Sequence, residues 1–408
     1  MIKTYKSREK YIKKIEPFMG KDGLIKVLMG QRRVGKSYIL LELMDTVRKK
    51  YGKNEKIISI NKELHEFDEI KTGKDLITYV NKKAPKNGVR GGGKRCIFID
   101  EIQEIQDFEK GLRALQAEGK TDIYCTGSNA DILSGELATH LSGRYVAIEI
   151  FSLSYTEFLF FHELQENEDS FLKYIRYGGL PYLIHLELED QIVYEYLKNI
   201  VNTIIYKDVV ARFGVRNVNF LERLVEYVAD NVGSLVSAKK ISDFLKSQKT
   251  NISSNVVMDY LSYLVAAFII FEVPRSEIGG KKIFEINKKY YFEDLGLRHA
   301  ITGYTQKDIG KVLENLVFSH LKRCGYRVTV GKLQNREIDF VCEKNGEKVY
   351  IQVCYLLATQ EIREREFGNL LKIPDNERKI VVSMDPVSGG KEKGIEHIHI
   401  REFLLGDM

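Results

Sequence analysis

The chain has 408 residues, of which 44% are hydrophobic and 29% charged. That is enough apolar sequence for two or three domains, and it excludes the disordered, collagen-like and disulfide-scaffold classes. A net charge of +6 is too mild to announce a nucleic-acid binder, which would need local basic clusters. The longest apolar run covers residues 263–271, far short of the ~20 residues of a membrane span, and the basic N-terminus lacks the apolar core of a signal peptide. The five cysteines, Cys96, Cys125, Cys324, Cys342 and Cys354, form no C-x-x-C pair and read as reduced, small core residues of a cytoplasmic protein with no membrane association.

In chain order, residues 5–16 have helical spacing with Tyr11, Ile12 and Ile15 on one side, and Pro17 stops them. Residues 24–29 form an apolar strand that runs into Gly30-Gln31-Arg32-Arg33-Val34-Gly35-Lys36-Ser37, and a helix leaves over 38–49. The octet fits the phosphate-loop pattern G-x-x-x-x-G-K-[ST], which carries chemistry only in such a strand–loop–helix setting. Gly30 and Gly35 let the backbone turn tightly and aim N–H groups at phosphate oxygens. Lys36 brings a point charge to the β- and γ-phosphates, Ser37 offers its hydroxyl to Mg2+, and the helix N-terminus adds its dipole. The nucleotide-contacting set is therefore Gly30, Gln31, Arg32, Arg33, Val34, Gly35, Lys36, Ser37 and Tyr38. An ordinary glycine turn gives the same bare pattern, so a second site is needed.

That second site follows a strand over 57–60, a helix over 75–82 and a glycine-rich loop over 87–93. Cys96-Ile97-Phe98-Ile99 then reads as a buried parallel strand whose tip carries Asp100 and Glu101. Asp100 is placed to hold Mg2+, and Glu101 to orient and deprotonate an attacking water. Acids that simply open a helix are the bland alternative. After a helix over 108–118, the strand 122–126 ends in Gly127-Ser128-Asn129, where Ser128 or Asn129 could sense a γ-phosphate; Ser128 as a plain helix cap is the equal alternative. Arg144, in Leu141-Ser142-Gly143-Arg144, could serve as a finger on a neighbouring subunit's phosphate, against the simpler reading of a surface arginine.

Taken together these blocks resemble the AAA-type ATPases. With Phe151-Ser152-Leu153-Ser154-Tyr155-Thr156-Glu157-Phe158 and Tyr177-Gly178-Gly179-Leu180-Pro181 added, the chain resembles a prokaryotic group that joins such a module to a C-terminal domain of unassigned function. The resemblance spans nearly the whole chain. It implies a doubly wound parallel sheet, ATP with Mg2+, catalytic roles for Glu101, Lys36, Asn129 and Arg144, and a homo-oligomer if Arg144 acts in trans.

Residues 151–206 are largely helical, broken at Gly178-Gly179-Leu180-Pro181, with further helices over 190–209 and 219–231. Helices over 237–246 and 254–267 followed by strands over 268–273 and 282–286, around Gly279-Gly280, follow the order of a winged helix. Lys239, Lys240, Lys246, Lys249, Lys281, Lys282, Lys288 and Lys289 could meet phosphates or form a solvated basic face. The second helix carries no Arg or Lys to read bases, which favours protein docking over sequence-specific DNA reading.

The last hundred residues begin with an amphipathic helix over 311–324 bearing Glu314. Strands follow over 327–331, 337–343 and 348–355, the last two joined through the hairpin signal Asn345-Gly346. This order resembles the restriction-endonuclease-like fold. That resemblance implies a metal-binding site at Glu314 and Asp339, with Gln352 where an acid usually stands and Cys354 where a lysine should be. A cysteine supplies no cation, so the site reads as a vestigial one; Lys332 is a candidate substitute from a neighbouring strand.

The fold class expected is α/β: a doubly wound P-loop ATPase over 1–165, a helical and winged-helix region over 166–305, and a small restriction-endonuclease-like unit over 306–408. The function expected is an Mg2+-dependent ATPase switch coupled to a module for a protein partner or DNA. An ATP-gated nuclease using Glu314 and Asp339 is the alternative.

Overall fold

The computed structural model describes residues 6–52, 56–85, 94–130, 143–279, 283–386 and 389–406. The glycine-rich loop 87–93, Leu141 and Ser142 of the arginine motif, and Gly280, Lys281 and Lys282 of the hairpin lie outside the described residues. The chain divides into two compact units, Met1–Phe151 with Ala266–Phe268, and Ser152–Val265 with Ile269–Met408.

The first unit opens with helix α1 (Glu9–Ile15), shorter than its apolar spacing suggests, and a 3-10 turn, Glu16–Phe18, that contains Pro17. Five strands follow: β1 (Ile25–Met29), β2 (Lys56–Asn61), β3 (Arg95–Asp100), β4 (Thr121–Gly127) and β5 (Tyr145–Glu149). They pair in the order β2-β3-β4-β1-β5, every pair parallel. Every residue of β1, β3 and β4 is buried, so β1 and β3 read as mostly apolar runs rather than alternating ones, while β4 buries the polar Thr121, Asp122 and Thr126. Helices α2 (Lys36–Tyr51), α3 (Gly73–Lys83) and α4 (Phe108–Ala117) make the connections, and Thr72 with Asp75 forms a capping box at the start of α3. Because parallel strands share one direction, the tips of β1, β3 and β4 all come to the same edge of the sheet.

The second unit begins with α5 (Tyr155–His162), α6 (Glu168–Tyr177) and α7 (Asp190–Thr203). The helix expected over 190–209 continues past α7 as a π-helix, Ile204–Ala211. Its buried residues are Ile204, Ile205, Asp208 and Val209. Then come α8 (Val218–Asp230), β6 (Leu235–Val236), α9 (Ala238–Ser247), α10 (Ser254–Ala266), β7 (Ile270–Glu277) and β8 (Ile283–Phe292). β6 pairs with β8 and β8 with β7, all antiparallel. The two-residue β6 is too short to leave a periodic signal. β8 runs six residues beyond the expected 286, so Lys288 and Lys289 lie in a strand.

After α11 (Leu295–Thr302) come α12 (Ile309–Arg323), β9 (Arg327–Leu333), β10 (Arg336–Lys344), β11 (Glu347–Val353), α13 (Gln360–Leu371) and β12 (Arg378–Ser383). The chain closes with β13 (Lys391–Glu392), β14 (Ile395–His399) and α14 (Ile400–Leu405). The turn between β10 and β11 has φ of 52° at Asn345 and 88° at Gly346, the two positive values that Asn-Gly supplies at low cost. β7 pairs in parallel with β9, so β6 to β14 form one nine-stranded mixed sheet.

The two sequence blocks without evident chemistry meet in a buried knot. Ser154 and Glu157 cap α5 reciprocally, and the Gly179 N–H donates to Asp294 Oδ2 at 2.7 Å. Leu153 N–H donates to Gly179 O at 2.7 Å, and a Cβ on Gly179 would lie 2.4 Å from Leu153 O. Ser152 N–H donates to Glu293 Oε1 at 2.7 Å, and Arg323 Nη2 donates to Ser152 Oγ at 2.9 Å.

Candidate nucleotide site

The first unit's site is built on three neighbouring strand tips. At the end of β1, Gly30 has φ 149° and packs so closely that a Cβ would sit 2.1 Å from Ile150 O. Gly35, at φ 97°, is the left-handed residue that starts α2. Between them the loop holds Lys36 buried, its Nζ donating to Gly30 O and Gln31 O at 2.9 Å each. Val34 O accepts from Arg8 Nη1 at 3.0 Å, and the same nitrogen donates to Phe151 O at 2.8 Å. The N-terminal segment thus ties the loop to the end of β5, a role its basic composition did not signal.

Asp100 ends β3 and is buried. It accepts a hydrogen bond from Thr126 Oγ1 at 2.5 Å, and the Ser37 hydroxyl also reaches it. Burial pushes its carboxyl up; the bonds from Thr126 and Ser37 and the Lys36 charge oppose that rise, while the Glu101 charge adds to it. Glu101 follows at φ 57°, an uncommon backbone for a non-glycine residue, and its N–H donates to Thr126 Oγ1 at 2.9 Å. Its carboxylate accepts from Gln103 Nε2 and from Ser128 Oγ, the latter at 3.2 Å. Burial works to raise its pKa, but the charges of Lys36 and Arg32 and the two hydrogen bonds hold it below the usual carboxylate range.

Sequence reasoning therefore placed Lys36, Ser37, Asp100, Glu101 and Ser128 where the fold brings them together. Asn129 is buried at the tip of β4 beside Ser128. Tyr38 and Arg33 are exposed, Arg32 is buried within 3.6 Å of Glu63, and Gln31 is fully buried with neither amide atom hydrogen-bonded among the described residues. Arg144 is not part of this constellation: it is exposed, and its carbonyl accepts from the N–H of Ile25, the first residue of β1. At ~3.3 Å per residue that puts it roughly 15 Å down the strand from the phosphate loop of its own chain. Thr126 and Gln103 were missed as functional residues. Both lie next to recognised positions, but nothing in their type announces that they would grip the two carboxylates.

A single ammonium, backbone N–H groups at a helix N-terminus, and a hydroxyl within reach of a carboxylate are a donor set that fits polyphosphate and a hard divalent cation. Comparison with known proteins agrees. Residues 22–159 match an AAA domain, and residues 168–308 match a Domain of unknown function (DUF8612). An uncharacterized protein of Haemophilus influenzae is 36% identical over 413 residues, covering 99% of this chain and 100% of that protein. The chain belongs to this family of AAA-domain P-loop ATPases. An uncharacterized protein of Methanocaldococcus jannaschii is 32% identical over 360 residues, covering 84% of this chain and 77% of its own length. Among solved structures, a Walker-type ATPase of Pyrococcus abyssi is similar at 17% identity and a TM-score of 0.49, covering 72% of this chain and 95% of that one. No helix among the described residues is long and apolar enough to cross a membrane.

In the second unit, Glu314 on α12, Asp339 on β10 and Gln352 on β11 do converge. Asp339 Oδ2 accepts from Val353 N–H at 2.8 Å, and Gln352 Oε1 accepts from Asp339 N–H at 3.4 Å. Burial and the Glu314 charge push the Asp339 carboxyl well above its usual range, against the pull of Lys289. Burial also pushes the Cys354 thiol up to about 12, so it offers neither a cation nor a thiolate at neutral pH. The cation against these acids is Lys289, whose Nζ lies 2.8 Å from Glu314 and 2.9 Å from Glu337. Lys289 neither meets phosphates nor joins a solvated basic face, the two roles its sequence setting offers: it is buried, because β8 extends through it and turns its side chain inward. Lys332, the candidate substitute, stands opposite Glu337 in the β9–β10 register.

Proposed function

We propose that the chain is an Mg2+-dependent ATPase that uses the nucleotide as a switch for its second unit. The observation that carries this is the grip of Thr126 on the Asp100 carboxylate and the Glu101 N–H, with Gln103 and Ser128 on the Glu101 carboxylate, which fixes two acids of different protonation tendency beside Lys36 and Ser37. Lys36 turns from the loop carbonyls to the phosphates, and the backbone N–H groups of residues 30–37 bind their oxygens. Ser37 and Asp100 would hold the Mg2+, which when bound offsets phosphate charge. Glu101, held ionised by Lys36 and Arg32, takes the proton of the attacking water. Ser128 and Asn129 orient that water or the terminal phosphate. Arg144 can reach a phosphate only in a neighbouring copy, so its role requires an oligomer.

The coupled module is read as a winged helix, supported by the order α8, β6, α9, α10, β7, β8 and by the β6–β8–β7 pairing. A protein partner is favoured over DNA, because α10 carries no basic residue and exposes Met258. The working compartment on this reading is the cytoplasm. The test is turnover by the full chain: Lys36→Ala is expected to abolish nucleotide binding, and Glu101→Gln to keep binding while turnover falls at least a hundredfold. Wild-type turnover in Lys36→Ala would remove the assignment.

A further inference from the structure

The restriction-endonuclease-like order α12-β9-β10-β11-α13-β12 implies a divalent cation held by Glu314 and Asp339. The side chains do not fit one. We propose that Lys289 is a built-in cation, its ammonium standing among Glu314, Glu337 and Asp339 where a metal ion would stand, so that this unit keeps the carboxylates of a metal site but takes no metal. The inference is independent of the nucleotide reading, which rests on other residues.

The donor chemistry carries it. Glu314 Oε1 accepts from Lys289 Nζ at 2.8 Å and from the Tyr291 hydroxyl at 2.5 Å. Glu337 Oε1 lies 2.9 Å from the same ammonium and Asp339 Oδ1 3.9 Å. Asp339 Oδ2 is taken by the Val353 N–H, and the Gln352 carbonyl oxygen is turned to the Asp339 backbone. A hard divalent ion needs such oxygens free at ~2.0–2.6 Å, and it would repel an ammonium that shares them. Among the described residues no group of three His, Cys, Asp or Glu side chains is arranged to hold a metal.

The position of Lys289 is built rather than incidental. Its side chain is 3% exposed, and a buried ammonium persists only when paired. Lys289 and Tyr291 point to one face of β8 by the two-residue period, and both meet Glu314. Gly233, at φ +72°, passes so close that a Cβ would lie 3.1 Å from the Glu314 carboxylate, which closes the site from that side. The result is a cross-link of β8, α12 and β10 through one internal charge.

The experiment is Mn2+ binding to the nucleotide-free full chain, followed by electron paramagnetic resonance, with Asp100→Asn as background to silence the first unit's own cation site. No Mn2+ binding that depends on Asp339 is expected up to millimolar concentration. Lys289→Met is expected to gain one Mn2+ per chain, and adding Asp339→Asn to lose it again. Asp339-dependent Mn2+ binding, or Asp339-dependent cleavage of DNA or RNA, by the chain with Lys289 intact would overturn the proposal. A folded Lys289→Met variant that takes up no Mn2+ would do the same. Should Lys289→Met fail to fold, the measurements with Lys289 intact decide alone, and failure of the ATPase tests at Lys36 and Glu101 would leave this result untouched.

Discussion

Replacing Thr126 by valine keeps the shape of a fully buried side chain and removes one hydroxyl. Two bonds go with it: the 2.5 Å bond given to Asp100 and the 2.9 Å bond received from the Glu101 N–H. The Glu101 N–H is then a buried donor without a partner, at a cost of ~1–3 kcal/mol, and the lost charge-assisted bond adds ~1.5–3 kcal/mol. Since the two share one atom and are not additive, about 3 kcal/mol is the reasoned loss, or roughly 6–12 °C in melting temperature for a unit of this size. The bond from Thr126 is also the largest influence opposing the upward push of burial on Asp100. Its removal raises that carboxyl further, and a protonated Asp100 cannot hold Mg2+. The Mg2+ concentration for half-maximal turnover should therefore rise in Thr126→Val, and rise more at pH 6 than at pH 8. Thr126→Ser, which keeps the hydroxyl, should recover most of both effects. Equal Mg2+ dependence in Thr126→Val and the parent chain, or a Thr126→Ser variant as impaired as Thr126→Val, would refute the reasoning.

Arg32→Ala removes a charge that, with Lys36, holds Glu101 below the usual carboxylate range. The acid limb of the turnover–pH profile should move to higher pH, since Glu101 must be ionised to take a proton; superimposable profiles would count against its role as base. Lys26 and Asp122 form a fully buried ion pair between β1 and β4, so Lys26→Met leaves the carboxylate, among the described residues, with the Gly20 N–H and the Tyr124 hydroxyl, each at 2.8 Å. A loss of ~3–5 kcal/mol in denaturant unfolding is expected, largely recovered by adding Asp122→Leu. Burial and the neighbouring Arg298 depress His299 to about 3, so as pH falls below ~6.5 the unfolded chain takes up a proton that the folded one refuses. Stability of the second unit should drop by up to ~1.4 kcal/mol per pH unit between ~6.5 and 3 from this group, a slope that His299→Gln should remove.

The nucleotide half was legible because its parts are contiguous. Glycines that must turn sharply, a lysine and serine at a helix start, and acids at the tip of an unbroken apolar strand each act where they stand in the chain. The paired Asn345 and Gly346 announced their hairpin for the same reason, since positive φ is a local property. Helix ends were less legible: α1 stops at Ile15 and gives way to a 3-10 turn, and the stretch after α7 widens into a π-helix that no 3.6-residue count foresees.

By itself the sequence determined the phosphate loop, the acidic strand tip, the parallel class of the first sheet and the absence of a cation at Cys354. Only the tertiary structure decided which residues serve them. Thr126 grips Asp100 and Glu101 because β4 lies directly beside β3, and Arg144 is carried away from its own loop because β5 runs parallel to β1 and Arg144 lies beside the start of β1, at the end away from the strand tips. Lys289 meets Glu314 and Glu337, at separations of 25 and 48 positions in the chain, because β8, α12 and β10 converge in one sheet-and-helix layer. Local patterns specify what a residue can do through its own backbone and type. Which charge neutralises which is a property of strand order and register, and those are set by how the whole apolar surface is buried.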